Sequence, residues 1–267
     1  MENVMKVVIC PTAERATALT ARVIEQALRQ KPDIALGLAT GRTMEAVYGH
    51  LVRAHKEDGL DFSACRTFNL DEYAGIAPTS PHSYRTYMNA HLFSKVNVPL
   101  EATHVPDGMA PDMAAQCAAY EKAMRDSGGL GLQLLWLGEN GHIGFNEPLS
   151  ALTSRTRLVT LDPATRRQNV GMFDNDLEQV PHHAVTMGVG TIADARRTLM
   201  VVTGAAKAAI LARVIEGPVT AGISATVLQM HADCLVIVDE AAAADLSCRP
   251  YIEYLMQHDP ELKALLA

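Results

Sequence analysis

Short runs of apolar and β-branched residues recur along the chain and are separated by longer segments in which apolar positions return every three or four residues. The runs VMKVVIC, IALGLA, TFNL, LQLLWLG, HAVTMGV, RTLMVVTG and DCLVIVD have the length and composition of strands. Between the first two lies ERATALTARVIEQALRQ, where Ala18, Leu19, Val23, Ile24, Ala27 and Leu28 fall on or near one face and Arg22, Glu25, Gln26 and Arg29 largely on others. That is the pattern of a helix packed on a sheet. Strand and helix alternating in this way predict an α/β fold with a mostly parallel central sheet.

In open parallel sheets ligands sit in the crevice beyond the carboxyl ends of the strands, so the loops there are where chemistry is expected. After IALGLA comes Thr40-Gly41-Arg42-Thr43, leading into a helical stretch. A glycine turn at a helix N-terminus offers backbone N–H groups to a phosphate, with two hydroxyls and a guanidinium to add. Thr before a helix is also a common N-cap, so the turn alone decides little. After TFNL stand Asp71 and Glu72. Adjacent acids at a strand end are usually solvated or cap a helix, yet in the ligand crevice one of them is a candidate general base. After LQLLWLG, Gly138 and Gly141 allow a sharp turn and a close backbone approach to a ligand. His142 and Glu147 follow within that loop, and a carboxylate beside an imidazole orients it for proton transfer near neutral pH. VVTG then leads into a further helix whose first turn carries Lys207, a place where a cation is unfavourable unless it meets an anion.

Composition narrows the picture. The 267 residues are 48% apolar and 20% charged, without internal repeats or low-complexity linkers, and predict a single domain over 1–267. No stretch approaches the roughly 20 apolar residues of a membrane span. The N-terminus lacks the pattern of a signal peptide, so a soluble, cytoplasmic protein is expected. The net charge of −7 argues against a nucleic-acid partner. The five scattered cysteines show no ligand spacing, and neither a metal nor a cofactor is expected; a GxSxG nucleophile motif and a full GxGxxG fingerprint are also missing. What remains is cofactor-free proton movement on a small phosphorylated molecule.

Taken together, LGLATGRT, FNLDEYAGIAPTSPHSYRTYM, LGENGHIGFNEP, SRTRLVTL, FDNDLEQVPHHAVTMGVGTIADAR and EGPVTAGISATVLQMH resemble the glucosamine-6-phosphate deaminase (isomerising) family. The wider group includes galactosamine-6-phosphate isomerase and 6-phosphogluconolactonase. The resemblance spans nearly the whole chain and implies a Rossmann-like, three-layer α/β fold. It also implies a deaminase-type hydrolase that converts glucosamine 6-phosphate to fructose 6-phosphate and ammonia. By the same resemblance Asp71 carries the proton between C2 and C1, His142 opens the pyranose ring, and Glu147 is its acidic partner. Thr40, Gly41 and Thr43 form the phosphate loop, Gly141 belongs to the substrate-binding turn, and Lys207 binds phosphate. A homo-oligomer is expected by analogy, with an amino-sugar phosphate as the small-molecule partner.

The chain departs from the family pattern in places. Asn140 stands where the glucosamine-6-phosphate enzymes usually have Asp, and Asn cannot carry a proton or a charge. Asn is also used in the galactosamine-6-phosphate branch, so a galactosamine-6-phosphate deaminase/isomerase is the alternative. A non-catalytic sugar-phosphate-binding protein is a second one. Gly171 occupies the place of a phosphate-binding arginine, and Arg42 stands where relatives carry a small residue, which makes Arg42 a candidate replacement.

Overall fold

Burial of nearly every residue marks the strands of the main sheet. In the computed structural model, which describes residues 5–267, they are β1 (Lys6–Cys10), β2 (Ala35–Leu38) and β3 (Arg66–Asn69); β4 (Asp71–Tyr73) lies elsewhere; then come β5 (Thr103–His104) and β6 (Leu132–Trp136). β7 (Arg157–Thr160) and β8 (His183–Thr186) again lie elsewhere, and β9 (Thr198–Val202) and β10 (Cys234–Asp239) complete the sheet. The first apolar run, VMKVVIC, begins at Val4, outside the described residues. The sheet has seven strands in the order β1-β10-β9-β6-β2-β3-β5, with all neighbours parallel. Helices flank it, and the α/β architecture expected from the alternation is present. The helices are α1 (Ala13–Gln30), α2 (Arg42–Asp58), α3 (Tyr84–His91), α4 (Met113–Asp126) and α5 (Pro163–Asn169), followed by α6 (Val189–Ala193), α7 (Ala208–Glu216), α8 (Arg249–His258) and α9 (Pro260–Leu266). No described helix is long and apolar enough to cross a membrane.

α1 buries a slightly rotated stripe. Val23, Ile24 and Leu28 are buried as expected, but Ala16, Thr17, Thr20 and Ala21 are buried in preference to Ala18, Leu19 and Ala27. The threonines can go inward because their hydroxyls donate to carbonyls of their own helix, Thr17 to Glu14 (3.0 Å) and Thr20 to Ala16 (2.7 Å).

HAVTMGV does not join the parallel sheet. Its strand β8 pairs antiparallel with β4 and β7 in a separate three-stranded sheet of order β4-β8-β7. An apolar run signals a strand but not the sheet it enters, and the partners DEY and RLVT are too short or too polar to stand out. On the edge strand β7 half-buried and exposed residues alternate, as an antiparallel sheet with one wetted face allows. A small aromatic cluster of Tyr73, Tyr84, Phe145, Phe173 and neighbours packs around this sheet. Tyr73 on β4 lies 5.4 Å from Phe145, centroid to centroid, so the loop after β6 is pinned to the small sheet.

β2 and β6 are neighbours at the middle of the parallel sheet, and the chain leaves them in opposite directions, towards β3 and towards β9. That is the switch point at which doubly wound sheets open a crevice. The TGRT turn and the loop carrying His142 face each other across it.

Candidate active site

The turn after β2 is built around Gly41, whose φ of +121° lies in the region that favours glycine and which starts α2 without a side-chain cap. Its carbonyl accepts from Met44 N (2.9 Å) and from the Tyr87 hydroxyl (2.8 Å). Thr40, Gly41, Arg42 and Thr43 line a cavity of about 350 Å³ together with Tyr84, Trp136, Gly171 and Lys207. Lys207 ends a short helical turn just before α7, close to the first-turn place expected for it. Its Nζ is buried and has no hydrogen-bond partner among the described residues. Burial lowers its pKa, with the nearby Glu139 charge opposing that shift. An unpaired ammonium and the open end of a seventeen-residue helix converge on one cavity, which is the electrostatic requirement for holding an anion.

A hypothetical Cβ on Gly171 would lie 3.8 Å from Nη2 of Arg42. The guanidinium thus reaches from the opposite wall to the space beside position 171.

Asp71 and Glu72 are not solvated loop residues. They form β4, are 5% and 2% exposed, and pair with Thr186 and Val185 of β8. Glu72 accepts from the backbone N–H of Tyr73 (2.9 Å), Tyr84 (3.1 Å) and Arg85 (3.1 Å), and so caps α3 from outside. Burial nevertheless pushes its pKa up to about 6, against those hydrogen bonds and Arg85. Asp71 is the freer acid. Burial, and secondarily the Glu72 charge, pushes its pKa up to about 8. Such a group gains or loses its proton close to physiological pH, which suits a base that must also give the proton back.

The loop after β6 folds back on itself. Gly138 N donates to the His142 carbonyl (2.9 Å), and a Cβ on Gly138 would lie 2.3 Å from ring atoms of His142. Only glycine permits that approach. His142 is 2% exposed, and its Nδ1 faces Oε2 of Glu147 at 3.2 Å. Asn140 Nδ2 donates to the same oxygen (2.9 Å), while Asn140 Oδ1 accepts from His142 N (3.1 Å). The other Glu147 oxygen accepts from Asp162 N (3.2 Å). Burial would raise the Glu147 pKa, but the His142 hydrogen bond and charge, with Thr165 and Asn140, outweigh it and hold the acid at about 2. An ionised carboxylate only accepts, so Nδ1 of His142 carries the proton facing it. Nε2 is left buried without a partner among the described residues.

The structure therefore brings the expected residues together in two groups. Thr40, Gly41, Arg42, Thr43 and Lys207 share the cavity wall. Asp71 and His142 are buried, and Asn140 and Glu147 half-buried, outside that lining. Gly141 also lies outside it. Its φ is +84°, and the site of its missing Cβ is filled by Ile223 and Ile210, so its visible task is to let the loop pack. Sequence reasoning overlooked Trp136 and Tyr84. The first stands at a strand's carboxyl end and was within reach of the crevice rule; the second is brought in by α3 and carries no local signal.

Residues 11–236 match the family model described as glucosamine-6-phosphate isomerases/6-phosphogluconolactonase. A glucosamine-6-phosphate deaminase of Arthrobacter sp. (strain FB24) is 47% identical over 261 residues, covering 98% of this chain and 100% of the relative. That of Hahella chejuensis is 47% identical over 251 residues, covering 94% and 95%. Among solved structures, a monomeric glucosamine-6-phosphate deaminase superposes with a TM-score of 0.88 at 39% identity, over 90% of this chain and all (100%) of that one. The 6-phosphogluconolactonase of Trypanosoma cruzi, 19% identical with a TM-score of 0.72 over 93% and 99% of the two chains, shares the fold. The chain belongs to the glucosamine-6-phosphate isomerase/6-phosphogluconolactonase family.

Proposed function

We propose that this chain deaminates glucosamine 6-phosphate, yielding fructose 6-phosphate and ammonia. The observation that carries the reading is the His142–Glu147 pair held behind a cavity whose walls present Arg42 and an unpaired Lys207. Relatives of nearly full coverage that bear the name of this activity support it.

The chemistry follows from the groups present. The phosphate is held by the TGRT turn, Arg42 and Lys207, which fixes the sugar in one orientation. Nε2 of His142 takes the proton of the anomeric hydroxyl and delivers it to the ring oxygen, opening the pyranose to the aldehyde. Glu147 keeps the imidazole in the required tautomer, and Asn140 holds Glu147 in place. In the open chain C2 is acidic enough to lose its proton to Asp71, whose ionised form the incoming ammonium group favours, while one ammonium proton passes to the aldehyde oxygen to give the enolamine. Asp71 then returns a proton to C1, turning the enolamine into a ketimine. Water adds at C2 and ammonia leaves.

Arg42 takes the charge-bearing role that Gly171 cannot fill. Its loss should raise KM about ten- to a hundredfold, the range of a charge-assisted hydrogen bond; an unchanged KM in Arg42→Ala refutes the assignment. The reading as a whole is tested by ammonia release from glucosamine 6-phosphate and galactosamine 6-phosphate in parallel. Ammonia from the gluco sugar is expected, ammonia from the galacto sugar alone reverses the epimer, and a folded protein that binds both but releases none is a sugar-phosphate-binding protein. Sedimentation of the purified chain decides between the expected homo-oligomer and the monomer described for the solved deaminase. A cytoplasmic site of action goes with a phosphorylated metabolite as substrate.

A further inference from the structure

One wall of the cavity is aromatic. Trp136 is the only tryptophan of the chain and ends β6. The four residues before it on the strand are buried, whereas its own ring is partly exposed and lines the cavity. The indole packs part of its surface against the core and presents the rest to the cavity.

Its neighbours come from both groups of the site. Lys207 Nζ lies 5.8 Å from the ring centroid. The His142 ring lies 5.7 Å away, at 84° to the indole. The ring thus spans the interval from the anion end to the imidazole. A molecule whose anion meets Lys207 and whose ring oxygen meets Nε2 of His142 has to lay its carbon skeleton along this wall. The C–H face of a hexose is apolar, and an indole offers it area without demanding polar partners in return. The quadrupole of the same ring attracts the ammonium without neutralising it, which leaves the charge of Lys207 available to an anion.

We propose that Trp136 is a substrate-contacting, specificity-determining residue that receives the carbon face of the hexose. The proposal rests on the roles given above to Lys207 and His142. It separates two kinds of recognition, with the phosphate read by cations and backbone, and the sugar read by Trp136.

The single tryptophan makes the test direct. Wild-type protein is titrated with glucosamine 6-phosphate and, separately, with inorganic phosphate, while indole emission is followed. Saturable blue-shift or quenching by the sugar phosphate, larger than that by phosphate alone, is expected; unchanged emission at saturating sugar phosphate overturns the proposal. Trp136→Ala and Trp136→Phe are then compared for KM and for inhibition by inorganic phosphate. KM should rise about tenfold in the alanine variant and less in the phenylalanine one, the scale of one aromatic contact. The phosphate inhibition constant should stay within about twofold. An unchanged KM, or a phosphate constant weakened in step with KM, would mean that Trp136 only props Lys207, and the proposal falls. If the alanine variant does not fold, Trp136→Phe and the wild-type titration decide. Should the wild type release no ammonia, the proposed reaction fails while the fluorescence titration still tests the contact.

Discussion

Asp71 is 5% exposed, and burial, reinforced by Glu72, lifts its pKa from 3.8 to about 8. At neutral pH the native carboxyl keeps a proton that the unfolded chain has released. Because the folded value is the higher one, the stability contributed by this group is complete below about pH 3.8 and is lost as pH rises through about 8. At roughly 1.4 kcal/mol per unit, the loss is about 4 kcal/mol at pH 7. Asn has the shape of the protonated acid and never ionises, so Asp71→Asn escapes the loss. In urea denaturation the variant should exceed the wild type by a margin that widens by about 4 kcal/mol between pH 5 and pH 8. Its kcat should fall by about 10²–10⁴, the contribution of a placed general base. For the wild type without ligand, kcat/KM should rise with pH towards a midpoint near the pKa of about 8. A stability margin independent of pH would show that the native acid is not held neutral. An active Asp71→Asn would remove it from the proton transfer.

Other substitutions probe the surroundings. Gly138→Ala places a methyl 2.3 Å from the His142 ring; kcat should drop by about 10² as the imidazole is displaced, and wild-type turnover would refute the contact. The Glu147 acid is held at about 2 in the fold, against 4.5 ordinarily, so it stabilises the protein above about pH 4.5 and loses that effect as pH falls through about 2. Glu147→Gln should therefore cost about 3 kcal/mol at pH 7 by chemical denaturation, and the gap to wild type should close in acid. Glu72→Ala removes the acceptor of three backbone N–H groups and should lower stability by about 1–3 kcal/mol, with Glu72→Gln retaining part of it; an unchanged denaturation midpoint would show that the cap contributes nothing.

Most of the parallel sheet was legible because β1, β2, β6, β9 and β10 are mainly apolar and separated by helices, whereas the two-residue polar β5 carried no signal; the crevice rule pointed to the loops that do converge on the switch point. The small sheet was hidden. DEY carries two acids, and nothing in its composition says that β8 will bury them. Glu72 and Asp71 look alike in sequence, yet two backbone donors brought by α3, with a third from Tyr73, distinguish them. The approach of the His142 ring to Gly138 and the convergence of Arg42 with position 171 depend on tertiary distances. Local patterning contains no trace of those. The glycine in the loop suggested a close approach, but not that the approaching group would be the loop's own histidine.

β8 is the common mount for the groups proposed above to handle protons. Thr186 pairs with Asp71, and its hydroxyl accepts from Phe145 N (3.1 Å), while the Met187 carbonyl accepts from the Asn146 amide (2.8 Å) in the loop that carries Glu147. The cations that face the cavity stand instead on turns leaving the parallel sheet. Substitutions on those turns would therefore alter the cavity lining without disturbing the contacts that space Asp71 against the Glu147 loop. A library aimed at new sugar phosphates would do best to vary the turns of the large sheet and leave β8 untouched.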